Sequence, residues 1–323
     1  MKTLKPLFLA LTLSTTAITT QAIEPTPIPT QKQVAGYYHH QIGNTQITAL
    51  LDGTNYLNPA MFKGLSDNEK TEILKKYAAI NDKGIQTSVN AFLINTGNQL
   101  LMVDSGAASC FGTHLGSIYN NLKASGYQPT QVNGIFLTHL HPDHVCGISN
   151  NGVANYPNAT LHISKTEYDY WLSPNTVKKL PKDKQAGFLA TVEKVKAALA
   201  PYEKAKQVKV FSDKSLRFGD VEFKPSFGHT PWHYSFKLKA DDQEVVFIGD
   251  IVHSHTLQFD KPETAIEFDI DPQAAIQTRL KHFAEYAKDG QLIAAPHLPF
   301  PGLGYIYSKD DQSYQWIPVH FKD

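Results

Sequence analysis

One short run of residues, 138–144 (THLHPDH), restricts the folds open to this chain more than any other segment. It follows the apolar segment 134–138 (GIFLT), which is typical of a short buried strand. His139 and His141 are two residues apart, so at a strand end both rings face the same side. Asp143 and His144 can then turn toward a second point nearby. Because imidazole and carboxylate bind zinc and other divalent first-row metals, the run predicts a metal site.

Three further candidate ligands each follow a predicted strand. His229 comes after 221–227, Asp250 after 244–249, and His297 after 292–295. Each residue alone is more often a cap or a surface residue, but strand ends can converge on one rim of a sheet. Together with the run at 138–144, they give seven ligands, which is enough for two metal ions.

Strands and helices alternate along the chain, with several hairpins between them. The interleaving favours a layered α/β protein with mixed sheets and a single domain. Further strands are predicted at 45–52, 88–96, 99–104 and 234–238, and the first of them is expected to end in a turn at Asp52-Gly53. Helices are predicted after the capping box Ser66-x-x-Glu69, over 115–125, over 184–199 up to Pro201, and from Asp271 to Gly290.

The N-terminus has the pattern of an export signal. Lys2 and Lys5 precede the apolar run 6–13, and a stretch of small and polar residues ends at Ala22. The apolar run is far shorter than the ~20 residues of a membrane span. We expect a signal peptide over 1–22, cleaved after Ala22, with an unstructured N-terminus as the alternative. An extended, Pro-rich leader (23–36) and one domain (37–323) would follow, in the periplasm or outside the cell.

The composition limits the range of partners. The 323 residues include 30 Lys and Arg and 30 Asp and Glu, so the formal charge is zero. A nucleic-acid binder usually has a basic excess, so we expect none here. The 14 histidines stand against 2 cysteines, which suits either a metalloprotein with imidazole and carboxylate ligands or a chain with many surface histidines.

The order and approximate spacing of these ligands, with Asp104 in the stretch 103–106 (VDSG), resemble the metallo-β-lactamase superfamily over roughly 43–317. Several stretches look like its methyl parathion hydrolase-like branch: 87–91 (TSVNA), 106–108 followed by 111–112, 126–129 (GYQP) and 297–302 (HLPFPG). The resemblance implies a four-layer αββα sandwich with the site at one edge of the paired sheets. Trp232 and Cys146 stand where that family usually has glycine; neither departure removes a ligand, and both are expected to alter the packing near the site.

The resemblance also implies roles for the ligands. The first metal would take His139, His141 and His229, and the second would take Asp143, His144 and His297. Asp250 would bridge the two ions, and Asp104 would either orient a ligand histidine or cap a turn. Zinc is the expected metal, with manganese, iron and cobalt as alternatives. A hydroxide held between the ions would be the nucleophile, so no serine or cysteine nucleophile is needed.

Aromatic side chains near the ligands are candidates for the substrate pocket. They are Phe300, Trp232, Trp171 and Phe111, with Tyr56 and Phe62 on a lid. The alternative for each ring is core packing, which is favoured for Trp171. An apolar wall with few charges suits a neutral ester, lactone or phosphotriester.

The resemblance brings the segments of Cys110 and Cys146 together at the floor of the site. We therefore predict a disulfide between them, and the alternative is two buried thiols. Export would favour the disulfide, because oxidising compartments preserve such bonds.

The leading hypothesis is an exported dinuclear metal hydrolase of small ester-like or phosphotriester molecules. An N-acyl-homoserine lactonase is the first alternative, and a β-lactamase is the second. A periplasmic metal-binding protein without activity is the non-enzyme alternative, which the complete ligand set disfavours. The resemblance also points to a homodimer.

Overall fold

The structure, a computed structural model, describes residues 35–79, 81–212, 217–310 and 312–321. The predicted signal peptide and the predicted leader up to residue 34 lie outside the described residues. The strands are β1 (Tyr37–Ile42), β2 (Thr45–Leu57), β3 (Phe62–Lys63), β4 (Ile85–Asn95), β5 (Leu100–Val103), β6 (Val132–Phe136), β7 (Ser149–Asn150), β8 (Val153–Ala154), β9 (Thr160–Ser164), β10 (Val208–Phe211), β11 (Arg217–Phe218), β12 (Val221–Pro225), β13 (Tyr234–Ala240), β14 (Gln243–Phe247), β15 (Ala265–Ile266), β16 (Leu292–Ala294), β17 (Leu303–Ser308) and β18 (Tyr314–Pro318). The helices are α1 (Asp67–Lys76), α2 (Ile118–Ala124), α3 (Pro142–Val145), α4 (Lys165–Leu172), α5 (Pro174–Lys179), α6 (Lys182–Lys204), α7 (Leu257–Asp260) and α8 (Pro272–Asp289).

Two mixed sheets form the centre of the domain, each with seven strands in the described part of the chain. The first has the order β1-β2-β4-β5-β6-β9-β10, and the second has the order β11-β12-β13-β14-β16-β17-β18. In the first sheet, β5, β6, β9 and β10 run parallel to one another. In the second sheet, β14 and β16 are parallel neighbours. Candidate site residues follow the carboxyl ends of four of these strands, β5, β6, β14 and β16.

Apolar side chains divide the fold into four layers. Phe92 and Phe136 of the first sheet pack against Phe236 and Phe247 of the second, which joins the sheets face to face. The outer face of the first sheet is covered by α2, α4 and α6. The outer face of the second sheet is covered by α7 and α8, through side chains such as Phe283. The predicted αββα sandwich is confirmed. Of the helices that the structure describes, none combines the length and hydrophobicity needed to cross a bilayer.

Local sequence signals set several of these boundaries. Ser66 and Glu69 form the predicted capping box at the start of α1. Asp271 caps α8 by accepting from the N–H of Ala274. That helix ends at Gly290, whose φ of 59° is left-handed and therefore favours glycine.

Three predicted boundaries were wrong. The turn at Asp52-Gly53 is a bulge, because β2 continues to Leu57 in register with β4. The buried Asp52 carboxylate accepts from the N–H groups of Ala107 and Ile118, which also delays the start of α2 from 115 to 118. Helix α6 runs three residues past Pro201, where buried Tyr202 hydrogen-bonds two carbonyl oxygens and secures the last turn.

Candidate metal centre

The candidate ligands and the supporting Asp104 meet where strands of both sheets end. Asp104 follows β5 and His139 follows β6 in the first sheet. Asp250 follows β14 and His297 follows β16 in the second sheet. A backbone hydrogen bond from Tyr234 N–H to the Thr138 carbonyl ties the two sheets together beside the site. The fold thus places ligands from distant parts of the chain in one buried cluster.

The first group consists of His139, His141, His229 and Asp250, whose ligand atoms all lie within 4.8 Å of one another. Nδ1 of His141 lies 3.0 Å from Nε2 of His139 and 3.0 Å from Nε2 of His229. Oδ2 of Asp250 lies 3.2 Å from Nε2 of His229. Three imidazole nitrogens and a carboxylate oxygen facing one point are a ligand set for a divalent cation.

The second group consists of Asp143, His144 and His297. Oδ2 of Asp143 lies 3.5 Å from Nε2 of His297 and 3.8 Å from Nε2 of His144. Asp250 touches this group as well, with Oδ1 3.2 Å from His144 Nε2 and Oδ2 3.2 Å from His297 Nε2. Asp250 therefore lies between the two groups, where a bridging ligand belongs.

Two buried atoms test whether these residues fit metal ions. His144 Nε2 and Asp250 Oδ1 have no hydrogen-bond partner in the described part of the chain, although they lie 3.2 Å apart. A buried polar atom without a partner costs about 1–3 kcal/mol. A cation in the second group would satisfy both atoms, and the first group provides the ligand set for another, so the residues present fit two divalent ions.

The outward ring nitrogens of four ligand histidines each have an oxygen partner, which fixes the ring orientations. The distances are 2.9 Å for His144 Nδ1 to Asp104 Oδ2, 2.9 Å for His229 Nδ1 to Asp269 Oδ1, 3.0 Å for His297 Nδ1 to the Ser88 carbonyl, and 3.0 Å for His139 Nδ1 to Thr138 Oγ1. The contact of Asp104 is the orienting role considered from the sequence.

The protein without metal shows strong electrostatic coupling in this cluster. Burial, and then the neighbouring His144, hold the pKa of His139 well below its usual value. Burial opposes protonation of His229 as well, but Asp250 and Asp269 outweigh it and raise its pKa to about 9. Burial disfavours the charged form of Asp250, yet the surrounding histidines, His144 first, hold its pKa well below the usual value.

A cavity of about 280 Å³ opens onto the two ligand groups. Of the six predicted pocket residues, all of which the structure describes, only Phe111 lines it. Its ring is 41% exposed, as befits a wall residue at the mouth. The cavity wall also contains residues that sequence reasoning missed, namely Asn55, Leu57, Thr87, Val89, Thr191, Lys194, His253 and Phe268.

The other five aromatic residues lie elsewhere. Phe62 is fully buried in a core cluster beside α1, so it forms no lid. Trp232 and Phe300 pack against the core between the sheets. Trp171 is buried behind His141, with its ring stacked on Phe188. Tyr56 is partly exposed on β2, with the Lys83 ammonium over its ring. Sequence proximity to the ligands did not show which face each ring occupies.

His253 is a buried cavity residue that the sequence reasoning missed. Its Nε2 lies 3.1 Å from Oδ2 of Asp250, and it forms a third cluster with Asp250 and His297. Its place three residues after Asp250 was a signal that could have identified it. His233 instead lies behind the site, where Nε2 accepts from the backbone N–H of Asp250.

Cys110 and Cys146 form a disulfide, with Cα atoms 6.3 Å apart. It joins the loop that carries Phe111 to the short 3₁₀ turn directly after α3. The cavity wall is thus covalently tied to the segment that carries Asp143 and His144.

Comparisons with known proteins agree with this geometry. Residues 84–286 match the metallo-β-lactamase superfamily. A crystal structure described as hydrolase AbOPH in the beta lactamase superfamily is 61% identical, covers 90% of this chain and 100% of its own, and has a TM-score of 0.89. The dizinc quorum-quenching lactonase AidC, in complex with a product N-hexanoyl-L-homoserine, is 25% identical over 89% of this chain and 99% of its own, with a TM-score of 0.79. A probable metal-dependent hydrolase from Staphylococcus aureus is 18% identical over 88% of this chain and 100% of its own, with a TM-score of 0.68, and shows the fold alone. No curated protein sequence matches the chain.

The chain belongs to the metallo-β-lactamase superfamily and is a metal-dependent hydrolase. The methyl parathion hydrolase-like branch stays a prediction.

Proposed function

We propose that this protein is an exported dinuclear zinc hydrolase that cleaves neutral ester-like bonds, including those of phosphotriesters. The observation that carries the proposal is the placement of Asp250 between two ligand groups at the inner end of a cavity. Apolar residues such as Leu57, Val89 and Phe268 form much of its wall. A small, largely apolar molecule suits such a site.

The chain's own residues prepare the site for hydrolysis. Asp104 and Asp269 hold His144 and His229 with their inner nitrogens toward the metal positions. His253 supports Asp250 through the contact of its Nε2 with the carboxylate. When bound, two divalent ions would lower the pKa of water to about 7 and polarise the oxygen that gains charge.

A substrate panel tests this function. The purified protein would be assayed with an aryl phosphotriester, an aryl ester, a γ-lactone and a cephalosporin, alongside elemental analysis. We expect zinc in the protein and turnover of at least one of the first three, with loss of activity in His139→Ala. The matched control is Lys288→Ala on α8, which removes a cationic side chain remote from the ligand cluster. Bound metal without hydrolysis of any substrate would instead favour a metal-binding protein.

A lactonase is the second candidate, and a specific observation favours it. AidC, whose structure contains the product of an acyl-homoserine lactone, matches nearly the whole chain. Preference for acyl-homoserine lactones over aryl phosphotriesters in the panel would establish this alternative.

The disulfide supports the export part of the proposal, because such bonds persist in oxidising compartments. N-terminal sequencing of the protein from its native cells tests it. We expect the mature chain to begin at Ile23, and an intact N-terminus in the cytoplasm would contradict export.

A further inference from the structure

Lys194 is a cationic residue in the wall of the substrate cavity. It lies on α6, and the same cavity is lined by the ligands His141, Asp143 and Asp250. The proposed reaction assigns no role to this side chain. Lys194 is partly buried and is the one lysine or arginine among the described residues that line this largely apolar cavity.

The contacts of Lys194 leave part of its hydrogen-bonding capacity free. Nζ donates to the Cys110 carbonyl at 2.9 Å and lies 4.7 Å from the centroid of the Phe111 ring. An ammonium group has three donors, of which the carbonyl takes one. Among the described residues, no carboxylate lies within 4.0 Å of Nζ, whereas neighbouring Lys196 pairs with Glu193 at 3.3 Å. Within the described chain, the groups that contact this ammonium are therefore neutral.

The loop beneath Lys194 keeps the ammonium group in place. The disulfide between Cys110 and Cys146 fixes the backbone whose carbonyl accepts from Nζ. The half-exposed Phe111 ring supports the group from another side. Because the charge is positioned before any ligand arrives, little conformational entropy is lost when an acceptor binds.

We propose that Lys194 determines substrate specificity by donating a hydrogen bond to an acceptor oxygen on the arm of the substrate beyond the scissile bond. The preferred substrate carries two features, an ester-like centre for the metal end and a carbonyl or carboxylate oxygen for Lys194. This inference rests on the proposed hydrolase function. The same positive charge disfavours substrates whose arm is cationic.

The test compares arms of equal length on two scaffolds, a γ-lactone and an aryl ester. One arm is plain alkyl, one contains an amide carbonyl and one ends in a carboxylate. The metal-loaded wild type, Lys194→Met and Lys194→Arg are assayed on each. Methionine keeps an unbranched, apolar side chain, and arginine keeps the charge. Lys196→Met on the same helix is the matched control, since its side chain is about half exposed and does not line the cavity.

We expect Lys194→Met to lower kcat/KM about 10-fold on acceptor-bearing arms, mainly through KM, and to leave the alkyl arm unchanged. Lys194→Arg should retain most of the preference, and Lys196→Met should match the wild type. A loss in Lys194→Met that is equal for all three arms would overturn the proposal, because it would indicate only a structural role for the lysine. No loss on any arm would overturn it as well. Failure of the wild type to hydrolyse any arm on either scaffold would instead contradict the proposed activity on carboxylic ester and lactone bonds.

Discussion

Asp104 and Asp269 each hold one ligand histidine, and these histidines belong to different ligand groups. Asp104 Oδ2 contacts Nδ1 of His144 in the second group, and Asp269 Oδ1 contacts Nδ1 of His229 in the first group. The other oxygen of each carboxylate accepts from the backbone, at Thr138 and at Ile266. Asparagine at either position can accept from the same backbone N–H only through its side-chain oxygen. Its NH₂ group then faces the histidine.

The NH₂ group would donate to Nδ1 of the histidine, where the carboxylate accepted a hydrogen bond. The histidine proton would then lie on Nε2, which must be unprotonated to bind a metal ion. We expect each Asp→Asn change to lower the zinc affinity of the ligand group that it supports by about 10–100-fold, or roughly 1.4–2.7 kcal/mol. Residues that orient a metal ligand contribute on this scale. Asp104 has a φ of 56°, and asparagine tolerates this left-handed conformation, so backbone strain is not a complication.

Competition with a chromophoric chelator can measure the two zinc affinities separately. Asp104→Asn should weaken the ion at His144, and Asp269→Asn should weaken the ion at His229. Asp67→Asn is the charge-matched control, since its side chain is 95% exposed. Equal loss of the same ion in both variants, or wild-type affinity for both ions, would refute the reasoning.

Three further predictions concern stability. Replacing Cys110 and Cys146 by serine should lower the free energy of unfolding by about 4 kcal/mol in urea titrations, since the bond closes a 36-residue separation; a change below 1 kcal/mol would argue against the disulfide. In the metal-free protein, the raised pKa of His229 stabilises the fold fully below pH 6.5, and this stabilisation is lost as the pH rises through about 9. Urea midpoints should therefore fall between pH 7 and 9, and a rise would contradict the account. Arg279→Met should cost about 2–6 kcal/mol, because the buried guanidinium donates to the carbonyl oxygens of Ile251 and Pro262; thermal melts near wild type would disagree.

The sequence was sufficient to predict the ligand cluster because its signals are local. The run at 138–144 and the residues after three later strands form one cluster wherever their strand ends converge. The two sheets provide that convergence. The layered fold followed from alternating strands and helices. Capping residues such as Ser66 and Asp271 identified helix starts within a residue.

The remaining features depended on contacts between distant segments. Asp52 resembled a turn residue, but hydrogen bonds to Ala107 and Ile118 make it a buried bulge residue. The strands β9 and β10 were not predicted; both are short, and the chain between them forms the crossover that includes α4 to α6. Phe62 and Phe111 were both candidates for the pocket, yet Phe62 lies in the core and Phe111 lines the cavity.

The central claim is that Asp250 joins two metal ions in one hydrolytic centre. The most direct measurement is the metal content of purified wild type and Asp250→Asn by elemental analysis, with the hydrolysis rate of each measured on the same samples. The account predicts two ions per wild-type chain, with fewer ions and a rate at least ~100-fold lower in the variant. Full metal content together with the full rate in Asp250→Asn would contradict it.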